Sequence, residues 1–151
     1  MKAIHFIIVF SIFVSIPCFA QHFPAKVDKK AVYQVGNLEV QIKNLYGSVK
    51  LDQGSNGWYY YADNGHLIAS LYLKLTNNSD NNMSVDLNKI KLVNESGKEF
   101  SPFITEGTVH IKPNKSRALI LLYQYQFPEG GKPYILNINR ATLQIKWKED
   151  N

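Results

Sequence analysis

The chain has 151 residues, 45% hydrophobic and 13% aromatic, with a formal charge of +5 and one cysteine. That length fills one domain with a sizeable core and leaves no room for two. The 17 Lys and Arg against 12 Asp and Glu are spread singly along the sequence, without the clustering of a nucleic-acid footprint, so a mildly basic solvated surface and no nucleic-acid partner are expected.

The first twenty residues read as a secretory signal peptide. Lys2 supplies a short positive region, Ala3 to Ile16 an apolar run, and small residues sit at Cys18 and Ala20 ahead of Gln21. The apolar run is shorter than the roughly 20 residues of a membrane span and has no basic stop beyond it, so no transmembrane segment is expected after cleavage. Pro17, where a lipoprotein signal would carry a small residue, weighs against lipid attachment at Cys18. Cleavage after Ala20 leaves a chain without cysteine at a formal +4, destined for the periplasm or the cell exterior. Gln21 to Ala31 is polar, contains Pro24 and lacks periodicity, which predicts a flexible leader; the domain is expected over 32–151.

Within that domain the pattern is strand throughout. Val32 to Val35 predicts a short edge strand, Gly36 and Asn37 a turn, and Leu38, Val40 and Ile42 alternate with polar residues in a first full strand. The strand continues irregularly through Leu45, Tyr46, Val49 and Leu51, with Gly47 as the expected bulge. Asp52 to Gly65 predicts a glycine-rich loop carrying Trp58, Tyr59, Tyr60 and Tyr61. Neighbours in an extended chain point to opposite sides, so at least one or two of these rings should be exposed or lie over a sheet edge. From Leu67 to Thr76 the residues Leu67, Ala69, Leu71, Leu73 and Leu75 share one face, and Ile68, Ser70, Tyr72, Lys74 and Thr76 the other. Asn77 to Asn82 must reverse the chain, because six consecutive turn formers bond their own backbone readily. Met83, Val85 and Leu87 open a second strand; Ile90 and Leu92 resume after a phase slip at Lys89, which predicts a bulge or bend. Asn94 to Lys98 is the next turn. Phe100 to Glu106 is broken at Pro102, and Val109 to Ile111 is a short apolar piece. Pro113 and Asn114 set a turn before Ser116 to Phe127, apolar on both faces in its first half and so a central strand. A loop over Pro128 to Pro133 precedes strands at Tyr134 to Ile138 and Thr142 to Lys148, the last with Leu143, Ile145 and Trp147 inward. About seven strands with no helical stripe predict an all-β, antiparallel two-sheet sandwich of immunoglobulin-like class.

Three segments resemble a group of exported bacterial immunoglobulin-like domains related in fold to the mycobacterial immunoprotective extracellular antigen. They are VGNLEVQI, LYLKLTNNSDNNMSVDLNKIKLVNESGKEF and IKPNKSRALILLYQYQFPEG, and together they cover most of the chain beyond the signal. Asn114 stands where the group tends to have glycine; asparagine can take the same left-handed backbone. The resemblance implies a small exported envelope module and carries over no catalytic residue.

The residues themselves assemble no catalytic set. Nucleophilic catalysis needs a Ser or Cys with a His base and an acidic orienter. No Gly-x-Ser-x-Gly elbow occurs, and beyond the signal the histidines are His22, His66 and His110. His66 with Asp63 is the nearest local pair of metal-ligand type, and His110 joins it only through tertiary contact, so no metal and no cofactor are expected. Asp52, Asp63, Asp86, Glu99 and Glu106 are available as carboxylates, and nothing singles out two for glycoside chemistry. Gly130 and Gly131 precede no helix and make no phosphate cradle. Exposed Trp and Tyr favour contact surfaces, so Trp58, Tyr59, Tyr60, Tyr61, Asp63 and His66 are the expected partner-binding residues. The expected function is a non-enzymatic binding or structural module of the bacterial envelope whose loops at one end of the sandwich contact a protein or glycan. Two alternatives stand beside it, an inhibitor or immunity protein for an exported hydrolase and a metal or small-molecule carrier.

Overall fold

In the computed structural model, residues 26–52, 59–63, 66–104, 107–126 and 132–148 are described, with the backbone alone at 52, 59 and 104. The signal peptide, Trp58, Phe127 and the loop over 128–131 lie outside the described residues. The polypeptide forms an antiparallel β-sandwich. Its first layer is a five-stranded sheet in the order β1 (Val32–Val35), β2 (Leu38–Ser48), β5 (His66–Asn77), β11 (Ser116–Gln126) and β9 (Pro102–Ile104). The second has β13 (Ala141–Gln144), β12 (Ile135–Ile138), β7 (Lys91–Val93) and β8 (Glu99–Phe100). Two ribbons complete it, β6 (Met83–Asp86) with β10 (Thr108–Ile111), and β3 (Lys50–Asp52) with β4 (Tyr59–Tyr61).

The alternation in β5 sets the core. Leu67, Ala69, Leu71, Leu73 and Leu75 all point inward, and their register aligns them with Leu38, Val40, Ile42 and Leu45 of β2 and with Leu119, Leu121, Tyr123 and Tyr125 of β11. Leu92, Phe100, Leu136, Ile138 and Leu143 close the core from the second sheet, and Val85, Val109 and Ile111 from the β6–β10 ribbon. Each buried leucine contributes roughly 1.5–3 kcal/mol over its exposed state. One polar link crosses the interior: the Tyr123 hydroxyl donates to the Ile90 carbonyl at 3.0 Å, which removes the cost of burying it.

Several expectations need correction. The bulge in β2 lies between Ile42 and Asn44, so Lys43 and not Gly47 is the extra residue. The segment from Met83 to Leu92 is not one kinked strand. Asp86 accepts a hydrogen bond from the Asn88 backbone, a single 3-10 turn forms over Leu87–Lys89, and the chain leaves the β6–β10 ribbon for the second sheet. Phe100 to Glu106 also divides: β8 belongs to the second sheet and β9 to the first, with Pro102, which has no N–H to give a ladder, opening the new strand. These crossings contribute to a total of thirteen strands among the described residues where the periodicity marks about seven. The end of the expected leader is part of the domain. Val27 is buried in the core and pairs with Trp147, and Ala31 is buried as well.

Turns follow their residues. Gly36 and Asn114 take left-handed backbone where the sequence places turns, and Asn139 with Arg140 does so in the two-residue hairpin between β12 and β13. In the turn after β5, Asn77 is fully buried. Its amide donates to the carbonyls of Asn81 (2.7 Å) and Ile111 (3.0 Å), and its side-chain oxygen accepts from the Ser79 backbone at 2.9 Å. One side chain thus closes the turn and ties β5 to β10. Asn77→Ala strands these buried partners and is expected to cost about 2–3 kcal/mol in urea unfolding, whereas Asn82→Ala, exposed in the same turn, should stay within about 0.5 kcal/mol of wild type.

Candidate functional site

The connection between β2 and β5 is a second, smaller hairpin. β3 pairs with β4 through Lys50↔Tyr61, Leu51↔Tyr60 and Asp52↔Tyr59, so the aromatic run expected in a loop is a strand. The Ala62 backbone continues the ladder by donating to Val49 at 3.0 Å. Gln124, on the outward side of β11, reaches this hairpin from both ends of its amide: its Oε1 accepts from the Asp63 backbone and its Nε2 donates to the Tyr61 carbonyl, each at 3.5 Å. The hairpin therefore bends over the outer face of the five-stranded sheet. There Ile68, Ser70 and Leu122 point away from the sandwich core and are nonetheless buried.

Two aromatic pairs stand on this outer face. Tyr60 meets Phe103 of β9 edge to face, with ring centroids 6.0 Å apart. Tyr46 of β2 stacks on Tyr72 of β5 at 5.9 Å, and the two hydroxyls share a hydrogen bond of 3.3 Å. The register joins the pairs, because Tyr46, Ser70, Leu122 and Ile104 form one row across the sheet and Tyr72 faces Ile120 in the next. Tyr61 is 64% exposed, with the Lys50 ammonium 5.7 Å from its ring centre, and Ile120 is 51% exposed. With the two pairs, these side chains make an exposed aromatic and apolar surface over the sheet face and the hairpin.

Of the residues expected to bind a partner, Tyr60 and Tyr61 lie on this surface. Tyr59 contributes its backbone to β4, and Trp58 lies outside the described residues. Asp63 is exposed at the bend, where its carbonyl accepts from the His66 backbone at 2.9 Å. His66 starts β5 half-buried, opposite Gln126. Tyr46, Tyr72, Phe103 and Ile120 complete the surface and were not expected there. The signal for Tyr72 and Ile120 was the period of two, which puts both on the side away from the leucines; for Tyr46 it was hidden by the bulge at Lys43.

The histidines do not converge. His110 pairs with Ser84 across the β10–β6 ribbon, and the adjacent Ile111 carbonyl binds Asn77 at the end of β5, whereas His66 begins that strand. A twelve-residue strand separates them by roughly 35 Å, so they share no metal. The Ser84 hydroxyl lies 2.8 Å from His110 Nδ1, but the Asp86 carboxylate engages the Asn88 backbone and Lys89 instead of the imidazole. The pair has no acidic orienter among the described residues and reads as a cross-strand bond.

The fold and this face define an antiparallel β-sandwich with an aromatic outer surface. In solved structures the chain is similar to a conserved hypothetical protein from Bacillus anthracis, at 14% identity and a TM-score of 0.61 over 80% of this chain and 96% of that one. It is also similar to an uncharacterized β-sandwich protein from Clostridium difficile, at 14% identity and a TM-score of 0.50 over 82% and 93%. At such identity the likeness is one of fold. No family model and no curated protein matches the chain. No helix among the described residues is long and apolar enough to cross a membrane.

The tyrosine pair gives the surface a titration signature. The bond from Tyr46, reinforced by burial, pushes the Tyr72 phenol up to about 12. Burial pushes Tyr123 and Tyr125 up as well. A phenol raised in the folded state stabilises fully below its unfolded value of about 10, and that contribution is lost as pH rises through the folded value. Stability should fall above pH 10 towards 12, less steeply in Tyr72→Phe. In Tyr46→Phe the Tyr72 phenolate should appear closer to the ordinary phenol range in an ultraviolet titration; an unchanged curve would show that the pair does not set it.

Proposed function

We propose that the protein is an exported, non-enzymatic binding module of the bacterial envelope that holds a protein or glycan partner against the outer face of its five-stranded sheet. The observation that carries this reading is the presence of Tyr46–Tyr72 and Ile120 on the outer face of the five-stranded sheet, with the β3–β4 hairpin bringing Tyr60 against Phe103 and leaving Tyr61 exposed. Aromatic rings bury large area at small entropic cost, and their faces suit both sugar rings and apolar side chains. In this reading the contact is made by a sheet face extended by the hairpin, where the sequence pointed to loops at one end. The non-enzymatic reading is supported by a chain that has no cysteine beyond the signal peptide, and by the Ser84–His110 pair, where the nearby Asp86 carboxylate engages the Asn88 backbone and Lys89. The export reading rests on the signal-like first twenty residues and on the resemblance to exported immunoglobulin-like domains. N-terminal sequencing of protein recovered from the envelope is expected to begin at Gln21, and a start at Met1 would remove export from the proposal.

The binding test compares wild type with Tyr61→Ala/Ile120→Ser, two exposed positions whose replacement leaves the core intact. Crosslinking in the native envelope and a glycan array should both be run. Wild type is expected to enrich one protein or one glycan class that the variant loses by tenfold or more, about 1.4 kcal/mol per tenfold. Equal capture by two variants with the same thermal unfolding would show the aromatics to be packing alone.

A further inference from the structure

Away from the aromatic face, the two ends of the described domain meet in a short ladder. The Lys148 backbone donates to the Lys26 carbonyl at 2.7 Å, and the Asp28 backbone donates to the Lys146 carbonyl at 2.8 Å, on either side of the Val27–Trp147 pair. Val27 and Trp147 point inward, and pleating turns Lys26, Asp28, Lys146 and Lys148 to the opposite face. Beside this ladder lies an open cleft of about 570 Å³ lined by Asp28, Lys30, Gln144, Lys146, Trp147 and Lys148. Four lysines thus gather where the sequence shows two separate pairs more than a hundred residues apart, and the expectation of an evenly spread charge fails here.

Among the described residues none of these lysines forms an ion pair. The ion pairs among the described residues are Lys89–Asp86 and Lys91–Glu99, both elsewhere. Asp28, the carboxylate of the cleft, accepts from the Lys30 backbone at 3.0 Å and offsets one charge, so Lys30, Lys146 and Lys148 leave a formal excess of two positive charges in the lining. Glu149 and Asp150 follow in the sequence, lie outside the described residues and are not counted in the site. Like charges held together by a backbone ladder are costly unless a counter-charge answers them. We propose that this cleft binds an extended polyanion carrying phosphate groups along a flexible chain.

The shape and the chemistry both select that ligand. The cleft is shallow and open, which suits a chain lying across it and not a compact molecule. Lysine offers point charges with rotatable donors, adapted to irregularly spaced phosphates and not to planar bidentate recognition. Single-stranded nucleic acid would call for exposed rings on which bases stack, but Trp147 is half-buried. Its indole donates to the Pro133 carbonyl at 2.9 Å, and Lys132 lies 5.3 Å from its ring centre. A membrane surface would call for protruding apolar side chains beside the lysines, and Val27 and Ile145 are buried.

The test titrates the chain from residue 21 with inorganic polyphosphate, orthophosphate, a single-stranded oligonucleotide and phosphatidylglycerol vesicles. Polyphosphate is expected to bind, and to weaken about tenfold to twentyfold between roughly 50 and 200 mM salt if three lysines release counterions. Lys30→Gln/Lys146→Gln/Lys148→Gln should lose this binding. Lys43→Gln/Lys112→Gln/Lys115→Gln, with the same net charge and the cleft intact, should keep it within about twofold. Lys30→Glu, a single change outside the ladder, should weaken it severalfold and guards against a triple variant that fails to fold. Equal loss in both triple variants would reduce the effect to net charge and overturn the site. Preference for the oligonucleotide or the vesicles over polyphosphate would overturn the ligand.

Discussion

A strand bonded along both edges has no backbone group left for water, and β5 is in that position: β2 pairs with it from Leu38 to Ser48 and β11 from Ser116 to Gln126. Once those ladders exist, its inward leucines must be covered by a second layer, and the ten further strands among the described residues supply the cover directly or connect to it. The same strand also dictates what happens outside. At its His66 end the outward residues are Ile68 and Ser70, and at its Asn77 end Tyr72, Lys74 and Thr76. Apolar surface at the first end cannot be left to water without cost, so the β3–β4 hairpin folds over it. At the second end the tyrosine, lysine and threonine tolerate solvent. The aromatic surface lies where the covered half of this face passes into the open half.

The cover is apolar in character. Ser70 is fully buried beneath it with no hydrogen-bond partner for its hydroxyl, a cost of about 1–3 kcal/mol. That cost is borne because the neighbouring Ile68 and Leu122 gain more by exclusion of water. Gln124 adds two long hydrogen bonds to the hairpin backbone, enough to orient it, while the burial of Ile68 and Leu122 holds it down. The hairpin thus belongs to the packing of the sheet at its base and presents Tyr61 at its surface.

What could be read from the sequence was what period two encodes. The inward set of β5, the turns at Gly36, Asn114 and Asn94–Lys98, and the edge position of β1 all depend on neighbours within a few residues, and each has a local chemical cause. The crossings between layers depend on tertiary packing. The slip at Lys89 announced an irregularity, but whether the strand bulges or departs for another sheet is decided by where Ile90 and Leu92 find their core, and no local residue records that. The Tyr46–Tyr72 pair was concealed for a related reason: one extra residue at Lys43 exchanges the faces of everything after it in β2. That at least one ring of the aromatic run lies open was legible because consecutive side chains in a strand cannot share a side, and Tyr61 is the more exposed of the two described. The polar segment before Val32 hid Val27, a single apolar residue whose burial requires Trp147 from the other end of the chain.

The positions of the two surfaces follow from the strand order. In the five-stranded sheet β1 is one edge and β9 the other. Phe103, which receives Tyr60, is on β9, and Tyr33 of β1 accepts a hydrogen bond from the Lys146 backbone at 3.0 Å. Four inter-strand steps of about 4.8 Å therefore separate the edges, close to 20 Å. That distance exceeds the Debye length of about 8 Å at physiological salt, so the lysines contribute little field at Tyr60 and the charge on one surface does not govern binding at the other. If both proposed surfaces bind, a ligand on the cleft leaves the aromatic face free for a partner, and each would raise the effective concentration of the other when the two are linked. For a domain with so few ionisable groups in contact, that physical separation is what permits one small sandwich to present an electrostatic surface sensitive to salt and an apolar surface that is not.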